Sequence, residues 1–176
     1  MKYMMKSRVL YELEGTSGIP KEMAAVRSRP CDTKKKIKTG DGQQFFMEIL
    51  DDTPTQAQQP QRLYRLTDAD GTPVMEGLPL FADDDNPYIH GWPVCRMPKT
   101  DHMTVTINGA AYCLHMKNNQ YYNLENAGNE TVFVMIHKGI SGGWDLECTE
   151  PFPAGILCGL FLFCIYLGKE NEFIVV

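Results

Sequence analysis

The stretch AGILCGLFLFCIYLG, from Ala154 to Gly168, carries no charged side chain and is closed by Lys169 and Glu170. Pro151 and Pro153 stand just before it, where the fixed φ of proline suits a helix start. As a helix, its length is roughly 22 Å at about 1.5 Å per residue, short of the roughly 30 Å hydrocarbon core of a bilayer. A helix apolar on every side has to be surrounded, by lipid or by protein. Gly155 and Gly159 form a G-x-x-x-G pair. In lipid that spacing serves helix dimerisation, whereas inside a protein it lets neighbouring groups approach closely. The short length favours the protein interior, with a central helix over about 154–168.

Upstream, from Arg8 to Cys148, the pattern has period two in short runs broken by turns. Phe45 to Leu50 follows Asp41-Gly42, Leu63 to Leu66 precedes Asp70-Gly71, and Met103 to Ile107 meets Asn108-Gly109 before Ala111 to Met116. Asn-Gly and Asp-Gly supply the positive φ that tight hairpins need. Tyr121 to Leu124, Thr131 to His137 and Trp144 to Cys148 continue the meander, giving about a dozen strands by this period-two reading. Tyr64 to Val74 also aligns without gaps on Tyr122 to Val132, with Tyr, Leu, Ala and Val matching in place, and Tyr11 to Leu13 is a weaker third copy. Convergent hairpin chemistry and a true repeat both account for the echo. The polar, proline-bracketed stretch Asp51 to Gln61 and the acidic run Asp83 to Pro87 read as loops inside one domain, 1–176.

A dozen antiparallel strands followed by one wholly apolar helix have a direct solution: the sheet closes into a barrel and the helix fills it. The expected fold is therefore a mainly β, closed antiparallel β-barrel around one hydrophobic C-terminal helix. The strand-turn unit YRLTDADGTPV (Tyr64 to Val74) and the ending GGWDLECTEPFPAGILCGLFLFCIYLGKE (Gly142 to Glu170), where a Trp-bearing strand leads into the helix, resemble the tubby C-terminal fold. That superfamily includes tubby-like proteins, plant LURP-one-related proteins and phospholipid scramblases. The cysteine run and calcium segment of scramblases are absent here, and the tubby phosphoinositide residues do not map onto this chain position by position. The resemblance implies a fold, and anionic lipid headgroups as a ligand class.

The chain of 176 residues has 17 basic and 22 acidic side chains, for a formal charge of -5, with 43% hydrophobic residues. That balance is globular and argues against a nucleic-acid partner. The N-terminal segment has neither the apolar run nor the cleavage pattern of a signal peptide. The 6 cysteines are widely spaced and form no C-x-x-C, which suits a reduced, cytoplasmic setting better than a disulfide framework. His90, His102, His115 and His137 lack zinc spacing, and Asp68-x-Asp70-Gly71 lacks the remaining ligands of an EF-hand. No metal or cofactor is expected. Ser141-Gly142-Gly143 lacks the G-x-S-x-G elbow, Cys148 has no evident histidine partner, and no P-loop or G-x-G-x-x-G occurs.

Lys34, Lys35, Lys36 and Lys38 make the one concentrated basic run, with Lys21, Arg27 and Arg29 upstream. Such a cluster attracts anionic headgroups at roughly 1 kcal/mol per side chain near a membrane surface. Its ordinary alternative is a solvated turn, or an edge strand protected from pairing by lysine. The sequence thus points to a non-enzymatic binding or scaffold module for an anionic lipid, such as a phosphoinositide, or for a protein partner. It would be cytoplasmic or peripheral at a membrane, with no transmembrane span. A tail-anchored membrane protein with a β-rich cytosolic domain and a cryptic enzyme are the rival readings.

Overall fold

The computed structural model describes residues 1–13, 19–28, 34–51, 62–81 and 100–170. Twelve strands run β1 (Lys2–Lys6), β2 (Val9–Glu12), β3 (Lys21–Arg27), β4 (Lys35–Thr39), β5 (Gln44–Asp51), β6 (Arg62–Thr67), β7 (Pro73–Phe81), β8 (Thr100–Ile107), β9 (Ala110–Asn118), β10 (Tyr121–Asn126), β11 (Thr131–His137) and β12 (Trp144–Cys148), and the helix α1 (Ala154–Glu170) follows. Each strand pairs antiparallel with its neighbour in sequence, and β1 closes the barrel on β12, with Tyr3 opposite Leu146. The expected architecture is what the chain adopts. The loop Thr53 to Gln61, the acidic run Asp83 to Pro87 and the Gly15–Gly18 turn lie outside the described residues.

Barrels of about eight strands fill their interior with their own side chains, and wider ones leave a lumen. Here α1 occupies that space. Ile156, Leu157, Leu160, Phe163 and Leu167 are buried against Tyr64, Leu66, Met75, Met103, Leu114 and Phe133 of the wall. Methionines at Met5, Met47, Met75, Met103 and Met135 complete the core, their flexible thioethers filling gaps between wall and helix. A Cβ on Gly159 would come within 2.6 Å of the Met75 methyl and 2.8 Å of Leu66. The G-x-x-x-G spacing therefore serves close approach of the helix to the barrel wall. No helix among the described residues is long and apolar enough to cross a membrane.

Three differences from the sequence reading have physical causes. The lysine-rich stretch forms β4, flanked by β3 and β5 within a closed barrel, so it is neither a turn nor an edge strand. β1 and β3 also add strands where the sequence shows little apolar alternation, because Tyr3, Met5, Ala24 and Val26 suffice to face the core. Finally, the helix continues to Glu170, whose carboxylate is only 5% exposed. It accepts hydrogen bonds from Arg62 Nη1 at 2.6 Å and from the Tyr64 hydroxyl. A carboxylate at a helix C-terminus is disfavoured by the helix dipole, and the guanidinium offsets that.

The sequence echo has a structural counterpart. Asp68 in the β6–β7 turn accepts backbone N–H groups of Asp70 and Thr72, and Asn126 in the β10–β11 turn accepts those of Gly128 and Glu130. Tyr64 and Tyr122, Leu66 and Leu124 are equivalently buried. The third copy departs from this pattern, since Leu10 is the buried residue of β2 and Leu13 is exposed.

Candidate functional site

Period-two geometry divides the basic run. Ile37 and Thr39 point into the barrel, and Lys35 shares their face. Lys34, Lys36 and Lys38 belong to the outer face. There Lys34 Nζ lies 2.9 Å from Glu48 Oε2, and Lys36 Nζ stands 5.6 Å over the Phe46 ring. Lys38 is exposed. The four lysines therefore do not form a single site.

Lys35 instead joins residues distant in sequence. At the end of the barrel where α1 finishes, a cavity of about 530 Å³ is lined by Arg8, Val26, Ser28, Lys35, Phe161, Leu162, Ile165, Tyr166 and Lys169. It lies where the last turns of α1 meet the ends of β3 and β4 and the β1–β2 turn. Phe161 is half-buried and lines this cavity, with its ring edge-on to Trp144 at 6.4 Å between centroids. Lys169 Nζ stands 5.4 Å over the Tyr166 ring. Burial raises the Tyr166 hydroxyl pKa, and the charge of Arg8 opposes that shift. Among the described lining residues three are cationic and none is acidic, in a chain of net charge -5.

Arg8 is held in a costly way. Ser7 and Arg8 form the two-residue β1–β2 turn with φ of 51° and 67°, a conformation that non-glycine residues rarely adopt. Arg8 Nη1 donates to Ser28 Oγ at 2.8 Å, which fixes the guanidinium beside the cavity. Strain of this kind concentrates at functional positions. Sequence reading could have flagged the turn only by its lack of glycine or asparagine. Lys169, 161 positions along the chain, meets Arg8 only through the fold.

Other chemistry is weaker. At the opposite end, a cavity of about 520 Å³ is lined by Lys21, Glu22, Thr39, Asp41, Gln43 and the start of α1, with charges of both signs. His102 and His115 stack at 6.2 Å on the outer wall, and His115 Nε2 lies 3.5 Å from Glu125. No metal-holding group of His, Cys, Asp or Glu occurs among the described residues. Burial pushes the thiols of Cys148 and Cys158 up to about 12 and raises that of Cys164. Burial, with Glu125 and Asp101 nearby, also raises Cys113. A nucleophilic cysteine needs the opposite shift.

No family model, no curated protein and no solved structure matches the chain.

Proposed function

We propose that this chain is a non-enzymatic binding module of tubby-like architecture whose barrel mouth receives an anionic lipid headgroup. The observation that carries the reading is the convergence of Arg8, Lys35 and Lys169 on one cavity whose described lining holds no carboxylate. Arg8 offers a planar fork suited to phosphate, and the two lysines offer flexible point charges. Outside the mouth, Lys36 and Lys38 add long-range attraction to an anionic surface, at roughly 1 kcal/mol each when close to it. The raised thiols of Cys148 and Cys158 count against those two cysteines as nucleophiles. The free state of Cys113, Cys148, Cys158 and Cys164 supports a cytoplasmic site of action.

The test is co-sedimentation with vesicles of phosphatidylcholine alone and of phosphatidylcholine containing a phosphoinositide. Wild type should bind only the second, and binding should fall with added salt. Combined Arg8→Gln, Lys35→Gln and Lys169→Gln should abolish binding, while Lys36→Gln with Lys38→Gln should only weaken it. Full binding by the mouth variant would overturn the reading.

A further inference from the structure

The mouth cavity has a second property that a headgroup alone does not use. Besides its three cations, the cavity is lined by Val26 of β3 and by Phe161, Leu162 and Ile165 of α1, four apolar side chains. Val26 and Leu162 are almost fully buried, whereas Phe161 and Ile165 are half-buried although they belong to the most hydrophobic segment of the chain. Apolar side chains left partly open inside a concave site, rimmed by cations, match a ligand with an apolar body and an anionic end.

Volume decides how large that body is. The open cleft of about 530 Å³ has room for a phosphate and one medium-length alkyl chain. We propose that the mouth takes up a single-chain anionic amphiphile, its head against Arg8, Lys35 and Lys169 and its chain along Val26, Phe161, Leu162 and Ile165. This rests on the mouth being the anion site, and it adds that the apolar part enters the protein instead of staying in a bilayer.

The experiment is calorimetric titration of the full chain, below the micelle-forming concentration, with dodecyl phosphate, inorganic phosphate and dodecyl maltoside in turn. Dodecyl phosphate should bind one per chain and about tenfold or more tighter than inorganic phosphate, a gain that burying about two methylenes already provides. Dodecyl maltoside, with the chain but no charge, should bind weakly. Ile165→Ser, a neutral change, should cut dodecyl phosphate affinity by a larger factor than inorganic phosphate affinity. Lys35→Gln should weaken both phosphates, with near-UV circular dichroism confirming that each variant is folded. Equal affinity for inorganic and dodecyl phosphate would overturn the amphiphile proposal while leaving the anion site intact. Failure of both phosphates to bind, or equally tight binding of dodecyl maltoside, would remove the anion site as well.

Discussion

Asn108-Gly109 and Ser7-Arg8 are two-residue hairpins at opposite ends of the barrel, and both hold positive φ at each position: 47° and 85° in the first, 51° and 67° in the second. Asn and Gly accept that geometry readily, whereas Ser and Arg do not. The helix-start end continues in the first manner, with Gly42 and Gly71 at positive φ in tight turns where Thr39 and Asp68 hydrogen-bond the backbone. At the other end, Arg8, Lys35 and Lys169 surround an open cavity. Both ends hold a cavity and both use glycine at positive φ, Gly139, Gly142 and Gly143 on the mouth side. Among the described residues the ends differ in the strained Ser7-Arg8 turn and in the wholly cationic charge of the mouth lining.

The largest effect tests the frame that both ends share. Leu160 is fully buried between helix and wall, so Leu160→Lys places an unpaired charge where water does not reach, at a cost of several kcal/mol. Typical domain stability is about 5–15 kcal/mol, so the variant should be insoluble or lack a cooperative thermal transition. A folded, cooperative Leu160→Lys protein would mean that α1 does not fill the barrel.

Glu170→Ala comes next and concerns the latch beside the mouth. It leaves the fully buried Tyr64 hydroxyl without its acceptor and Arg62 without its carboxylate. The expected loss is about 1–3 kcal/mol in denaturant unfolding, with Glu170→Gln milder. Equal losses in the two variants would show that packing, not the hydrogen bonds, holds the helix end.

Arg8→Gly carries an unusual pairing of outcomes. Relief of the left-handed strain should raise stability by up to about 1 kcal/mol, yet anion binding should fall sharply. The matched change Gly109→Ala at the opposite end should cost about 1 kcal/mol and leave binding untouched. If Arg8→Gly lost both stability and binding, Arg8 would be a structural residue and the contrast between the ends would lose its basis.

The smallest effect lies in the β4–β5 turn. Asp41 accepts a hydrogen bond from Thr39, and this, with the Gln43 backbone N–H, lowers its pKa below 3.8. A depressed carboxylate contributes stability above its unfolded pKa and loses it as pH falls through the folded value. Asp41→Asn should therefore change thermal stability slightly at pH 7 and flatten its decline below about pH 4. An unchanged acid profile would show that the turn hydrogen bonds contribute nothing.

What the sequence showed followed from local physics. Asn108-Gly109, Asp70-Gly71 and Asp41-Gly42 announced their hairpins because the backbone geometry demands those residues. The uncharged run from Ala154 announced a surrounded helix. β3 and β4 were hidden because KEMAAVR and KKIKT place only small or isolated apolar residues inward. Alternation alone could have separated Lys35 from Lys34, Lys36 and Lys38 once β4 was known to be a strand. Its partners could not have been named this way, because Arg8 reaches the cavity across β2 and β3, and Lys169 through the seating of α1 inside the barrel.

Titration of isotope-labelled protein with dodecyl phosphate, followed by amide chemical shifts, tests directly whether the mouth is the end that binds. The account predicts saturable shifts confined to residues 7–8, 26–28, 34–36 and 161–169, with the turns at 40–43, 68–72, 108–109 and 126–130 unmoved. Shifts centred on those turns or on the outer face of β4 and β5, or no saturable shift at all, would contradict it.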